Sequence, residues 1–209
     1  MTIDATSAGE SAWLRRAARP LDDPPCTPGW NIGELADVID PALPRRRAAV
    51  LVPIVRRDEG LSVLFTRRTE HLRTHAGQIS FPGGAIEADD VDAVAAALRE
   101  TEEETGIARA LVEPFGYLDS FETVSGFCVW PVAGFVEGAY EARPDPSEVA
   151  EIFEVPFDFI LEPERLRRIE FDWKGRIRAT HELEWNGHRV WGATASILKN
   201  LLTRLESVQ

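Results

Sequence analysis

The chain has 209 residues, of which 44% are hydrophobic, 28% charged and 9% aromatic. This composition excludes collagen-like, mucin-like and low-complexity proteins, and a chain of this length can bury a core without a disulfide or metal staple. It carries 23 Lys and Arg against 35 Asp and Glu, a net charge of −12, which repels nucleic-acid backbones and anionic membranes. We therefore expect neither nucleic acid nor a membrane as a partner.

The cysteine content is typical of a reducing compartment. Cys26 and Cys128 are the two cysteines, too few for a disulfide framework or a cysteine-based zinc site. The first residues lack the basic and apolar regions of a signal peptide, and no run reaches the roughly 20 apolar residues of a membrane span. These features predict a cytoplasmic location.

The first 45 residues differ from the rest of the chain because they contain six prolines. Proline interrupts helices, so we predict only short helices here, one of them over residues 31–39. We interpret residues 1–45 as an N-terminal extension packed on a main domain formed by residues 46–209. The side chains expected to be buried by that packing are Trp13, Trp30 and Leu35.

The remainder of the chain alternates strand and helix patterns. We predict a hairpin from the runs 48–57 and 61–68, a short strand over 78–81, a helix over 89–106, strands over 115–121 and 127–136, a helical piece at 157–161, a hairpin between 169 and 185, and an amphipathic helix over 193–205. Mixed strand order with one central and one terminal helix predicts an α/β (α+β) sandwich around a mixed β-sheet.

The central helix has signals at both ends. Asp89 or Asp90 can cap its start, and Gly106 is typical of the residue that follows a helix. At 100° per residue, Val91 predicts an apolar stripe on one side of the helix. The members of that stripe are Val91, Val94, Ala95 and Leu98.

Three glutamates, Glu100, Glu103 and Glu104, fall on the opposite side of the same helix. Like charges one turn apart repel each other, and alanines flank them where a solvated face usually carries long polar chains. One interpretation is a solvated acidic face. The other is a site for Mg²⁺ or Mn²⁺, because oxygen ligands at one-turn spacing suit a hard cation.

The segment from Gly84 to Ile107 resembles the Nudix box, the signature Gly-x5-Glu-x7-Arg-Glu-U-x-Glu-Glu-x-Gly-U of a family that hydrolyses nucleoside diphosphates linked to another moiety. The half that begins at Arg99 matches nearly residue for residue. Two departures lie in the other half: Asp90 stands where Glu is usual, and eight residues separate it from Arg99. They leave the role of Asp90 open and the Arg-Glu-x-x-Glu-Glu core intact.

A second motif precedes the box. Residues 64–84 read Leu64-Phe65-Thr66-Arg67-Arg68-Thr69-x3-Arg73-x3-Gly77-x3-Phe81-Pro82-Gly83-Gly84. This spacing is similar to the extra motif of the coenzyme A pyrophosphatase branch of the family, with mild departures at Phe65 and Thr69. Arginine's planar fork also suits phosphate oxygens, and an anionic substrate needs local basic residues in a chain of net charge −12.

The resemblance implies a Nudix-type sandwich and a set of site residues. It implies metal ligation by Glu100, Glu103 and Glu104, catalytic roles for Arg99, Glu103 and Glu104, and substrate contacts from Arg68, Arg73, Gly83 and Gly84. Arg99 is expected to bridge to Glu103 or a neighbouring carboxylate. The general base stays open among Glu103, Glu148 and Glu151.

The expected function is metal-dependent hydrolysis of coenzyme A or acyl-coenzyme A to 3′,5′-ADP and 4′-(acyl)phosphopantetheine. One alternative is a Nudix hydrolase for ADP-ribose, dinucleotides or nucleotide sugars. Another is a non-catalytic module that senses a nucleotide. Modules of that kind are expected to lose the box glutamates, whereas this chain has all three. The partner is a small-molecule substrate, and a homodimer is possible.

Overall fold

A computed structural model describes residues 7–25, 28–40, 44–72, 74–137 and 140–208, so that Arg73 and Cys26 lie outside the described residues. The helices are α1 (Ser7–Ala17), α2 (Ala93–Thr105), α3 (Phe157–Leu161) and α4 (Ala193–Ser207), with 3-10 turns at Ile32–Leu35 and Arg109–Leu111. The strands are β1 (Arg46–Arg57), β2 (Gly60–Arg68), β3 (Ile79–Ser80), β4 (Gly83–Ala85), β5 (Val112–Tyr117), β6 (Phe121–Glu122), β7 (Phe127–Val136), β8 (Val149–Pro156), β9 (Arg167–Trp173), β10 (Arg176–Trp185) and β11 (His188–Trp191).

A mixed sheet forms the centre of the described fold. β1 pairs in parallel with β7 and antiparallel with β2 and β4. The first half of β1 pairs with β4 and its second half with β2, while the end of β2 pairs with β3. The sheet therefore opens between β1 and β2 at the end where β3 and β4 lie. The other edge of β2 pairs with β8, and β9, β10 and β11 form a separate antiparallel sheet.

Side chains that alternate along β1 and β2 build a core on each face of this sheet. Leu51 and Leu64 face α2. Val52 and Phe65 face the other layer, which contains α1, α4 and part of the small sheet. The predicted α+β sandwich, with its mixed sheet, central helix and C-terminal helix, is confirmed. None of the helices in the described ranges combines the length and the hydropathy that crossing a membrane requires.

The N-terminal residues pack on this second layer. The indole Nε1 of Trp13 donates to the carbonyl oxygen of Leu205 in α4 at 3.2 Å, and Trp13 is buried. The sequence predicted only short helices in this region. It therefore missed α1, a helix of 11 residues that ends before the first proline. Trp30, expected to be buried, is 40% exposed, and its ring centroid lies 6.0 Å from that of Phe121.

The start and the buried side of α2 also differ from the prediction. Asp92, not Asp89 or Asp90, caps the helix, and its carboxylate accepts from the backbone N–H of Ala95 at 2.8 Å. The predicted stripe around Val91 is correct only in part, because Val91 is 89% exposed whereas Val94 and Leu98 are half-buried against the core. The fully buried hydrophobic residues of α2 are the alanines Ala93, Ala96 and Ala97. Their small side chains bring the helix close to the strands.

Candidate functional site

Four parts of the chain meet at the second half of α2: the helix itself, the end of β2, β4 and the segment before β8. The α2 helix ends at Gly106, as predicted, with φ +72° and its N–H bonded to the carbonyl of Glu102. The backbone N–H groups of Arg143 and Asp145 donate to the carbonyls of Thr105 and Glu104, at 2.8 and 3.1 Å. These bonds satisfy free carbonyls at the helix end and fix the segment that leads into β8.

Arg99 gathers three carboxylates. Its Nε and Nη2 donate to both oxygens of Asp90, at 3.0 and 2.9 Å. Its Nη1 donates to Glu100 at 2.9 Å and to Glu103 at 3.1 Å, so the expected bridge to Glu103 is present. The Arg99 guanidinium holds the pKa of Asp90 below its usual range, and the bond to Asp90 raises the pKa of Arg99 further. Arg99 is therefore a fixed cation that orients Glu100 and Glu103.

Two consecutive glycines of β4 let the strand approach both β1 and α2. A Cβ added at Gly83 would lie 2.4 Å from the carbonyl oxygen of Ala49 in β1. A Cβ added at Gly84 would lie 2.5 Å from the carboxylate of Glu100. Gly84 thus leaves the space that the Glu100 carboxylate occupies against β4.

Glu104 is the most deeply buried carboxylate of α2, with 4% of the residue exposed. Burial raises its pKa to about 8, although Arg68 acts in the opposite direction. Its Oε1 lies 3.7 Å from Nη1 of Arg68. Its Oε2 is buried without a hydrogen-bond partner among the described residues, which is costly for a charged oxygen unless something else satisfies it.

Arg68 links Glu104 to the carboxylate of Glu148. Its Nη2 lies 3.4 Å from Oε2 of Glu148, and 24% of its side chain is exposed. Burial also raises the pKa of Glu100, and the charge of Glu148 contributes to the raised pKa of both Glu100 and Glu104. Glu100, Glu104 and Glu148 therefore act on one another electrostatically, while each of them also faces an arginine.

The backbone holds Glu148 at this position. Its carbonyl accepts from the N–H of Thr69 at 2.9 Å, and its N–H donates to the carbonyl of Asp145 at 3.0 Å. Glu151 lies elsewhere, since its carboxylate contacts Arg67 at 2.9 Å and His188 at 3.1 Å. Of the two later glutamates left open by the sequence, the structure brings Glu148 to the α2 glutamates and directs Glu151 to a different cluster.

The donor set fits a hard divalent cation. All the candidate ligands are carboxylate oxygens, and one of them, Oε2 of Glu104, is buried with no partner in the described part of the chain. Across the described ranges, however, no three His, Cys, Asp or Glu side chains are already grouped as metal ligands. The arginines explain why these carboxylates are not grouped as ligands, because Arg99 holds Glu100 and Glu103 while Arg68 faces Glu104.

The structure brings together most of the residues singled out from the sequence. Those that it places around the second half of α2 are Arg68, Gly83, Gly84, Arg99, Glu100, Glu103 and Glu104. Arg73 lies outside the described residues. Sequence reasoning left the role of Asp90 open and named Glu148 only as one of three candidates for the general base. The one-residue departure from the box spacing was the available signal for Asp90.

Comparisons with known proteins agree on the family. A family model described as NUDIX domain matches residues 44–179. A protein of Enterobacter sp. (strain 638), described as an uncharacterized Nudix hydrolase NudL, is 39% identical over 164 residues, which cover 78% of this chain and 84% of the relative. A protein of Salmonella paratyphi B with the same description is 40% identical over 164 residues, with the same coverage of 78% and 84%.

The chain is also similar to a solved structure. The crystal structure of a MutT/nudix family protein from Enterococcus faecalis matches 97% of this chain and 75% of its own, with 17% sequence identity and a TM-score of 0.49.

Proposed function

This chain belongs to the Nudix hydrolase family, and from that premise we propose that it is a metal-dependent pyrophosphatase acting on coenzyme A or acyl-coenzyme A. The products would be 3′,5′-ADP and 4′-(acyl)phosphopantetheine. The observation that carries the hydrolytic part is the buried Glu104 carboxylate, whose Oε2 has no partner among the described residues and which lies beside Arg68. A module that only senses a ligand has no need for a desolvated carboxylate of this kind.

Glu100, Glu103 and Glu104 would hold Mg²⁺ or Mn²⁺. When bound, such a cation supplies Lewis-acid activation of water and neutralises charge on the diphosphate. Neighbouring residues of the chain hold these carboxylates in position. Arg99 fixes Glu100 and Glu103 through hydrogen bonds of 2.9 and 3.1 Å, and Gly84 lets β4 approach Glu100.

We assign the general base to Glu148. It lies on the segment that bonds to the end of α2, and it contacts the same arginine as Glu104. Its carboxylate is half exposed, with 49% of the side chain accessible, so it can reach a water molecule and return the proton to solvent. Glu151 is unsuitable because Arg67 and His188 both engage it.

The substrate proposal depends on the basic motif before the glycines. Arg68 ends β2 beside Glu104 and Glu148, where its cation would face the diphosphate that the glutamates act on. We therefore assign Arg68 to the diphosphate and Arg73, the other motif arginine, to the 3′-phosphate that distinguishes coenzyme A. Gly83 and Gly84 would bring the β4 backbone close to the substrate.

The decisive experiment is product identification by ³¹P NMR, with coenzyme A and ADP-ribose incubated in parallel in ¹⁸O-labelled water, once with Mg²⁺ and once with Mn²⁺. We expect 3′,5′-ADP and 4′-phosphopantetheine from coenzyme A, with ¹⁸O in one product and far slower turnover of ADP-ribose. Faster hydrolysis of ADP-ribose would overturn the substrate assignment. Absence of hydrolysis with both substrates and either metal would overturn the enzymatic one.

A pair of neighbouring arginines tests the assignment of Arg68. Arg68→Ala should lower kcat/KM about 10- to 100-fold, the value of a charge-assisted hydrogen bond, and equally for coenzyme A and 3′-dephospho-coenzyme A. Arg67→Ala is the matched control, because Arg67 is adjacent yet contacts Glu151. A loss confined to coenzyme A would show instead that Arg68 binds the 3′-phosphate.

A further inference from the structure

Glu148, the proposed base, belongs to no helix or strand. It lies in the segment between β7 and β8, one residue before β8 begins at Val149, and it is exposed. Exposed residues outside regular structure move readily unless other contacts hold them. A base has to stay within hydrogen-bond reach of the proton that it removes. The chain must therefore hold Glu148 by contacts that a helix or strand does not supply.

The residues just before Glu148 are restricted by their sequence. Asp145 stands between Pro144 and Pro146. Proline fixes its own φ, and it also disfavours the helical region for the residue before it. Few backbone conformations are therefore open to Asp145 before any tertiary contact forms.

The backbone of Asp145 joins two glutamates of the site. Its N–H donates to the carbonyl oxygen of Glu104 at 3.1 Å, and its own carbonyl oxygen accepts from the N–H of Glu148 at 3.0 Å. The same oxygen accepts from the N–H of Val149 at 2.8 Å. Asp145 thus connects the end of α2, where the buried Glu104 carboxylate lies, directly to the proposed base.

The side chain of Asp145 fixes the residue that precedes Glu148. Its Oδ1 accepts from both the backbone N–H and the hydroxyl group of Ser147, each at 2.8 Å. These two bonds close the turn that delivers the backbone to Glu148. Among the described residues the Asp145 carboxylate forms no ion pair with an arginine, so its contacts are to the turn and not to Arg68.

Thr69 holds the same turn from the side of β2. Its N–H donates to the carbonyl oxygen of Glu148 at 2.9 Å, and its hydroxyl lies 3.4 Å from the carbonyl oxygen of Ser147. Thr69 is buried and follows Arg68, the arginine that contacts the Glu148 carboxylate. The turn is therefore fixed between the end of β2 and the end of α2, with the Asp145 carboxylate closing it from within.

We propose that Asp145 is a positioning residue for the general base. Its carboxylate closes the turn before Glu148, and its backbone ties that turn to Glu104, so that the Glu148 carboxylate is held beside the α2 glutamates. The inference rests on the proposed function, because it requires Glu148 to be the base. It adds a residue whose own side chain acts on the reaction only through Glu148.

The test compares two substitutions at Asp145, with kcat and KM measured on coenzyme A and Mg²⁺. Asp145→Ala removes the acceptor of both Ser147 bonds. We expect kcat to fall about 10-fold, less than the roughly 100-fold effect of a 1 Å misplacement, because the backbone bonds of residue 145 remain. KM should change little, since the loss concerns the transition state. Asp145→Asn keeps an acceptor oxygen in the same place and should restore most of kcat.

Asp172→Ala is the matched control. Asp172 also closes a turn through its side chain, since its Oδ1 accepts from the N–H of Gly175 at 3.0 Å, but that turn joins β9 to β10. Removing it should leave kcat unchanged. A general loss of activity from opening any such turn would appear in this variant as well.

A double-mutant cycle with Glu148→Gln separates positioning from a merely structural role. Where the base is already absent, Asp145→Ala should cause no further loss of kcat, whereas damage to the fold would lower kcat in both backgrounds. Amide hydrogen exchange gives a readout that does not depend on turnover. The N–H of Glu148 should exchange faster in Asp145→Ala and at the unmodified rate in Asp145→Asn.

Unmodified kcat in Asp145→Ala would overturn the positioning role and leave the proposed function intact. Equal losses in the Ala and Asn variants, or an equal further loss in Glu148→Gln, would overturn it too. If Asp145→Ala does not fold, Ser147→Ala replaces it in the cycle, because it removes only the hydroxyl donor; a loss that persists in Glu148→Gln would again overturn the role. Absence of turnover in the unmodified chain would refute the proposed function itself, and this inference with it.

Discussion

Single substitutions at the two adjacent glycines of β4 should distinguish an effect on folding stability from an effect on catalysis. At Gly83 the added Cβ would meet the backbone oxygen of Ala49 at 2.4 Å, and its φ of +154° is rare for other residues. At Gly84 the added Cβ would meet the side chain of Glu100. A paired strand cannot move away without breaking the β1–β4 ladder, whereas a side chain can rotate. Gly83→Ala should therefore damage the fold and Gly84→Ala the site.

The magnitudes follow from the contacts. A residue held in a rarely populated backbone region costs about 1–3 kcal/mol, so Gly83→Ala should lower Tm by roughly 2–12 °C in a chain of this size. For Gly84→Ala, an ordinary contact begins at 3.4 Å and the added Cβ would lie 2.5 Å from Glu100, so the carboxylate must shift by about 1 Å. A misplacement of that size costs about 100-fold in rate, with a small change in Tm.

Thermal unfolding by circular dichroism and kcat with coenzyme A and Mg²⁺ measure the two effects. Gly33→Ala is the control, because nothing lies within 4 Å of its added Cβ, and it should change neither quantity. Unmodified kcat in Gly84→Ala would refute the proposed role of Glu100 at β4. An equal loss of Tm in both β4 variants would refute the distinction between backbone and side-chain contacts.

Three further predictions concern the charged residues. Arg99→Lys keeps the charge but loses the planar fork, so kcat should fall with little change in KM; a change in KM alone would indicate substrate contact. In metal-loaded protein, Glu148→Gln should reduce kcat, whereas Glu151→Gln should not. Burial raises the pKa of Glu154, but hydrogen bonds from Arg57 and two hydroxyl groups outweigh it and hold the pKa below its usual value. Glu154→Gln should therefore lower the free energy of urea unfolding at pH 7, and the loss should shrink as the pH falls below the ordinary glutamate pKa, because a lowered pKa stabilises only the ionised form.

Local signals were enough to predict the helix that carries the site. Glu100, Glu103 and Glu104 are set relative to one another by helix geometry alone, and Gly106 ends α2 as its sequence position indicates. The contact of Arg99 with Glu103, four residues apart, is likewise a property of one helix. Such relations involve no tertiary packing, so a single sequence contains them.

Packing decided the features that sequence patterns missed. The hydrophobic pattern predicted that the side of α2 near Val91 packs on the sheet. In the structure the side with the alanines is buried against the sheet, because small residues permit a closer approach. The glutamates Glu100 and Glu104 share that alanine side, which explains why Glu104 is buried rather than solvated. The alanines therefore bring these acidic residues close to β4.

The missed strand β8 shows why the sequence could not choose between Glu148 and Glu151. The pairing of β2 with β8 shifts register between Arg67 and Arg68, so that Arg67 lies opposite Glu151 while Arg68 lies opposite Val149. An irregularity of this kind re-aims side chains near its position. Here it leaves Arg67 with Glu151 and brings Arg68 to Glu148, the residue before Val149. The identity of the proposed base is thus a consequence of one register shift between strands that lie about 80 residues apart in the chain, and no local pattern in either strand encodes it.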